Sequence, residues 1–182
     1  TSVTGRTATG ILGNTGIVTI NAGTVKGETY SVSSGTNGKL NFNGGTLIGK
    51  NHDKTYDGRE VTFNVAEANV TPRTGYKPYT RQNGDYYETV LEKEVTVTAD
   101  AMSGAIKTTA GWTGTGATAT KTVLQNTAYG TLPTANEMER TGYTFDKWTG
   151  RNMFELKANP DWVYSTTQYS VNQAENSITV QS

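Results

Sequence analysis

The chain reads as mainly β: a short β-solenoid with a capping hairpin over residues 1–91, then a second small β domain with one short helix over residues 92–182. Three observations lead there. Threonine supplies 34 of 182 residues and, with Val and Tyr, favours strands. A strand-and-corner pattern repeats in the first half at an offset of 22 residues. Apolar and polar residues alternate again from Glu94. Aliphatic residues are sparse, but 16 basic and 16 acidic side chains cancel. Disorder of that composition needs a high net charge, so the chain reads as folded.

The repeat lays Gly16-Ile17-Val18-Thr19-Ile20-Asn21-Ala22-Gly23-Thr24-Val25-Lys26-Gly27 over Gly38-Lys39-Leu40-Asn41-Phe42-Asn43-Gly44-Gly45-Thr46-Leu47-Ile48-Gly49. Val61-Thr62-Phe63 reads as a third copy of the strand, and a weak earlier copy ends at Thr7-Ala8-Thr9-Gly10. The alternation of Val18 with Ile20 and of Leu40 with Phe42 gives strands with one buried face. Glycine at the corners accepts the positive φ such turns need. Coils stacked at the strand spacing of about 4.8 Å would then align like side chains. The expected ladders are Val18–Leu40–Val61, Ile20–Phe42–Phe63 and Val25–Leu47. Two look-alike β-hairpins are the alternative.

An open end of such a stack exposes strand edges and needs a cap. Residues 66–92 suit that role. Pro72 and Pro78 block strand addition, and Asn83-Gly84 reads as the turn of a hairpin joining the Tyr79 segment to Tyr86-Tyr87-Glu88-Thr89-Val90-Leu91. The second domain then starts at Glu92.

In the second half Val95, Val97 and Ala99 share one face of a strand, and Gly111–Thr120 reads as a loop. Further strands are expected at Thr122–Gln125, around 143–149 and at Ser177–Val180. Thr134 and Glu137 have capping-box spacing, so a one- or two-turn helix is expected from Thr134 to Gly142. Tyr143, Phe145 and Trp148 supply the large apolar area that a threonine-rich domain needs for its core.

Two resemblances follow from these residues. The glycine-cornered repeat is similar to the parallel β-helix coils of bacterial surface proteins. Tyr129-Gly130-Thr131-Leu132-Pro133, followed by Gly142-Tyr143-Thr144-Phe145-Asp146-Lys147-Trp148, resembles the internalin B-type (Listeria–Bacteroides) repeat. Tyr129, Gly130, Leu132, Pro133, Gly142, Tyr143, Phe145 and Trp148 match that pattern. Lys147 replaces its usual glycine, the Gly111–Thr120 loop is long, and the usual terminal aromatic is missing. The resemblance implies a small β-grasp-like module of bacterial surface and secreted proteins.

Little in the sequence points to chemistry. Without cysteine there is no disulfide, thiolate metal site or cysteine nucleophile. The one histidine, His52, reads as a solvated loop residue. Asp53, Asp57 and Glu60 are the nearest approach to a carboxylate cluster, whether for glycoside hydrolysis or for Ca²⁺, and read as solvated loop charges. No catalytic residue, cofactor or metal site is assigned. Leu132-Pro133-Thr134-Ala135 lacks the glycine and apolar tail of a sorting signal. Net neutrality argues against nucleic acid, and no apolar run spans a membrane. Thr1 falls in mid-pattern, so the chain reads as a piece of something longer.

The aromatic residues remain. Tyr76, Tyr79, Tyr86 and Tyr87 concentrate in the cap hairpin and form the possible binding patch, while Trp112 and Trp162 lie in loop-like stretches. Flat exposed rings stack on sugars or anchor protein partners. The expectation is therefore a non-enzymatic stalk or spacer of an extracellular bacterial surface or secreted protein. Its partners would be a host glycan or protein, or neighbouring domains of the same chain. The alternatives are an adhesin domain that binds a glycan or host protein, and an accessory part of a polysaccharide-active β-helix enzyme.

Overall fold

The computed structural model describes residues 2–4, 9–109, 111–125, 127–145, 148–152, 155–158 and 169–171, with side chains described up to Phe145 and at Trp148. The protein is mainly β, its only described helices being two three-residue 3₁₀ turns. No described helix is long and apolar enough to cross a membrane. The chain divides into two compact units, Thr1–Lys93 and Glu94–Ser182, and the division falls inside the long strand Tyr86–Asp100. Expected extents of 1–91 and 92–182 differ from these by two residues.

The first unit is built from short parallel strands that meet in register one repeat apart. Ser2–Thr4, Thr24–Lys26 and Thr46–Gly49 form one ladder, so Val3, Val25 and Leu47 align. Ile17–Ile20 pairs with Lys39–Phe42, which pairs in turn with Val70–Pro72. Thr9–Gly13 pairs with Tyr30–Ser34, whose far side meets Thr62–Asn64 through Ser31 N–H on Thr62 C=O, Asn64 N–H on Val32 C=O and a Ser33–Asn64 bridge. Outside the apolar ladders, polar side chains also stack: Asn43 donates to Asn21 at 2.9 Å, 22 positions away. Val25, Val32, Leu40, Phe42, Leu47, Val61 and Phe63 close the core.

These ladders do not make a closed solenoid. The one ending on Leu47 passes to an antiparallel partner, with Thr89 opposite Leu47. Nor is Val61-Thr62-Phe63 the third copy of the Val18 strand. The third rung beyond Leu40 and Phe42 is Val70 and Pro72, whereas 62–64 extends the Tyr30–Ser34 ladder. Val61 and Phe63 are buried in the same core from a different side. The cause is an insertion: Lys54–Tyr56 and Arg59–Val61 form a small hairpin across Asp57-Gly58. Asp57 (φ 51°) and Gly58 (φ 71°) are both left-handed, as a type I′ turn requires.

The cap hairpin pairs Tyr76–Asn83 with residues 86–93. Asn83 lies directly opposite Tyr86, so the corner residues are Gly84-Asp85 rather than Asn83-Gly84. Gly84 alone takes a positive φ there (61°), the requirement at the first corner of a type II′ turn.

In the second unit, residues 94–100 pair antiparallel with Thr118–Leu124, and Ala105–Ile106 pairs with Met138–Glu139. The expected loop 111–120 thus gives up its last residues to the strand. The expected helix shortens to Ala135–Glu137. Glu137 accepts from the Thr134 backbone N–H at 2.7 Å and from its hydroxyl at 3.0 Å, but the chain turns extended at Met138 because that residue is taken by the sheet partner Ile106. The strand expected around 143–149 begins at Trp148 instead, as Trp148–Asn152. Ser177–Val180 and Trp162 lie outside the described residues.

Candidate functional site

Strand alternation divides the four tyrosines of the cap hairpin. Register puts Tyr79 opposite Val90 and Tyr76 opposite Lys93, so Tyr79 and Tyr86 share one face and Tyr76 and Tyr87 the other. All four are half-buried. The sequence cluster is therefore not one patch of rings.

Tyr86 occupies the outward face beside the Thr24–Lys26 and Thr46–Gly49 ladder. Its hydroxyl donates to Glu28 at 2.7 Å, and Lys26 Nζ lies over its ring, 3.7 Å from the centroid. Lys50 Nζ is 5.1 Å from the same centroid and pairs with Glu28 at 2.8 Å. The hydrogen bond from Lys50, and after it that from Tyr86, holds the Glu28 carboxyl below its ordinary value, and Glu28 in turn raises Lys50. Glu28 thus holds Lys50 and the Tyr86 hydroxyl together, with Lys26 over the face of the same ring.

On the other face, Tyr87 stacks against His52 with centroids 3.6 Å apart, and His52 Nδ1 lies 2.6 Å from Glu60. His52 is half-buried in this contact rather than a solvated loop residue. Tyr76 packs under the Arg73 guanidinium at 4.7 Å. Between these tyrosines the hairpin meets the core through hydroxyls. Thr89 Oγ1 accepts the Thr62 N–H at 2.9 Å and touches the Thr62 and Thr80 hydroxyls at 2.9 and 2.8 Å, while Thr80 donates to Glu60 C=O at 2.7 Å.

The three acids of the 53–60 segment do not converge. Asp53 accepts the Tyr30 hydroxyl at 2.5 Å, a bond that lowers Asp53 and raises Tyr30. Burial pushes Asp57 up, but Arg59 at 2.9 Å and Lys77 at 3.4 Å outweigh it and bring the carboxyl below its ordinary value. Glu60 is held by His52. Among the described residues no three His, Cys, Asp or Glu side chains gather as metal ligands would.

In the second unit the tryptophans explain the Tyr-Gly-x-Leu-Pro segment. Trp112, expected in a loop, is buried, and its Nε1–H donates to Thr131 C=O at 2.8 Å. Trp148 is fully buried and donates to Pro133 C=O at 2.7 Å. Tyr129 and Leu132 complete that core, and burial pushes the Tyr129 phenol up. Tyr143 is not part of it. It stands 46 % exposed with the Arg140 guanidinium 3.8 Å from its centroid, beside a cleft lined by Gly104, Met138, Arg140 and Phe145. Between Ala101 and Gly104, which both line that cleft, the chain turns through Met102 (φ 48°) and Ser103 (φ 74°), unusual for side chains that carry a Cβ.

Two signals for these arrangements were present in the sequence. Asp57-Gly58 between Tyr56 and Arg59 is a hairpin cue, and it brings His52 and Glu60 to the same side of the insertion. The offset of 22 also places Lys26, Glu28 and Lys50 at one corner, since Lys50 follows Glu28 by that interval. No family model, curated protein or solved structure matches the chain.

Proposed function

We propose that the chain is a non-enzymatic spacer from an extracellular bacterial surface or secreted protein, built from β-solenoid coils with a hairpin cap and a β-grasp-like module of the internalin B-repeat type. The observation that carries the reading is the internal use of the cap aromatics. Tyr86, Tyr87 and Tyr76 each spend a ring face on a side chain of the first unit itself, Lys26, His52 and Arg73. Tyr86 and Tyr87, so engaged, tie the cap to residues outside it, while Tyr76 packs within the cap segment itself. In-register parallel rungs support the same reading, because each rung pairs its backbone with the next and resists stretching as a stack. Partners are then neighbouring domains of the same chain, with no nucleic acid involved.

Adhesion to a host glycan or protein is the second reading, favoured by the exposed Tyr143 beside its cleft. The test is a binding screen of the purified 182-residue chain against arrayed glycans and extracellular-matrix proteins. The spacer reading expects no saturable binding. A saturable hit weakened by Tyr143→Ala, Tyr79→Ala or Tyr86→Ala, with folding intact by circular dichroism, overturns it in favour of adhesion.

A further inference from the structure

Asn-Gly occurs three times in the chain, at 37–38, 43–44 and 83–84. The pair is chemically labile, because glycine has no Cβ to shield its nitrogen from the neighbouring side-chain amide. The first unit treats the three differently. Gly38 is buried, and its N–H bonds Gly35 C=O at 3.1 Å. Gly44 N–H bonds Ile20 C=O at 3.2 Å, and the Asn43 amide is tied to Asn21 at 2.9 Å. Both glycines are closely packed: a Cβ would lie 2.5 Å from Ser34 Cβ at Gly38 and 2.6 Å from the Asn21 carbonyl oxygen at Gly44.

The third pair stands at the corner of the cap hairpin. Asn83, Gly84 and Asp85 are all exposed, and a Cβ on Gly84 would meet nothing within 4 Å. Asn83 pairs with Tyr86, which leaves the Gly84 N–H outside the ladder. Gly84 C=O accepts from Gln82 Nε2 at 3.2 Å, but its N–H has no acceptor among the described residues. The Asn83 amide has one tie, from Nδ2 to Glu88 Oε1 at 2.7 Å.

We propose that Asn83 is a self-modification site of the folded chain, converted through a cyclic imide to aspartate and isoaspartate with water as the only co-reactant. Solvent base takes the Gly84 amide proton, and the nitrogen attacks Asn83 Cγ. The Cγ–Nδ2 bond breaks, and Nδ2 leaves as ammonia after taking a proton from water. Water then opens the imide ring. Attack at Cγ gives aspartate on the original main chain. Attack at the main-chain carbonyl carbon of residue 83 gives isoaspartate, whose main chain runs through Cβ and Cγ.

Either product undoes the hairpin tip. Glu88 Oε1 loses its amide donor and faces a second carboxylate. Isoaspartate also lengthens the main chain where residue 83 sits opposite Tyr86, the ring held by Glu28 and Lys26. The site is therefore a slow clock on the cap. It does not rest on the spacer reading, since an adhesin with this hairpin would age in the same way.

The experiment is a time course of the full chain at mildly alkaline pH, read by peptide mass spectrometry after tryptic digestion. Cleavage after lysine and arginine puts the three pairs on separate peptides, 27–39, 40–50 and 82–93. In the folded chain peptide 82–93 should gain the mass of an amide-to-acid exchange at least about fivefold faster than the other two, whose glycine N–H must first give up a hydrogen bond. In urea the three rates should converge. Asn83→Gln, which keeps an amide but disfavours ring closure, should abolish the gain on 82–93. Asn83→Asp, which reproduces one product, should lower the melting temperature of the first unit. Conversion at Asn37 or Asn43 as fast as at Asn83 in the folded chain overturns the proposal. So does a gain on 82–93 that persists in Asn83→Gln, or an Asn83 that converts only once the chain is unfolded. An Asn83→Asp chain that melts with the parent overturns the effect on the cap.

Discussion

Replacing Thr89 by valine removes one hydroxyl and leaves the shape of the side chain intact. The protons around Thr89 can be assigned one by one. The Thr62 hydroxyl lies 2.8 Å from Leu47 C=O, and Thr80 donates to Glu60 C=O. Thr89 Oγ1 therefore accepts the Thr62 backbone N–H and gives its own proton to Thr80 Oγ1. Thr62 and Thr89 are both fully buried, so in Thr89→Val the Thr62 N–H loses its acceptor with no water to replace it. A stranded buried donor costs about 1–3 kcal/mol, and the second lost hydrogen bond about 1 kcal/mol more. Gaining a buried methyl in place of the hydroxyl offsets part of this. The expected net loss is about 2–3 kcal/mol. Thr89→Ser keeps the hydroxyl and gives up one methyl, at about 1 kcal/mol. Urea denaturation read by tyrosine fluorescence of the first unit measures both, and amide exchange at Thr62 reports the stranded donor directly. Valine within about 0.5 kcal/mol of the parent, or serine as damaging as valine, would refute the argument that the hydroxyl network sets the cap.

Three further outcomes are expected. Trp148→Phe should destabilise the second unit by about 2–4 kcal/mol, because the buried indole hydrogen bond to Pro133 C=O is lost and the smaller ring leaves a void; near-UV circular dichroism through a denaturant titration checks it. Ser103→Gly should raise the melting temperature, with a gain of about 0.5–1 kcal/mol, since Ser103 sits at φ 74° and glycine carries no Cβ penalty there. Glu28, Asp53 and Asp57 sit below their ordinary values of 4.5, 3.8 and 3.8. A depressed carboxyl contributes stability that is present above its ordinary value and lost as pH falls through the folded one. The melting temperature of the first unit should therefore drop on acidification below the ordinary values, and Glu28→Gln should flatten part of that drop; a Glu28→Gln curve parallel to the parent's would contradict it.

Register was the most legible feature of the fold. An offset of 22 aligned Val18 with Leu40 and Val25 with Leu47 because stacked strands put equivalent residues one rung apart. Which ladder a strand joins was not legible. Val61-Thr62-Phe63 alternates as Val18–Ile20 does, but alternation reports one buried face and says nothing about which neighbour supplies the rest of the core. The Asp57-Gly58 hairpin shifted the count, so Val70 and Pro72 took the rung assigned to Val61 and Phe63. For the candidate site, clustering in sequence concealed separation in space, since adjacent strand residues such as Tyr86 and Tyr87 face opposite ways. Trp112 showed the opposite failure: its glycine-rich surroundings suggested exposure, but an acceptor at Thr131 allowed the indole to be buried.

The paired indole bonds on the Leu-Pro segment have a consequence for folding of the second unit. Trp112 reaches Thr131 from 19 residues upstream, and Trp148 reaches Pro133 from 15 residues downstream. The segment is clasped from both directions along the chain, and each clasp closes a loop whose entropy must be lost before its bond forms. Synthesis that has passed Pro133 but not Trp148 therefore yields half a clasp, and a protease cut on either side opens the same joint. The unit should form late and as a whole, with no stable half.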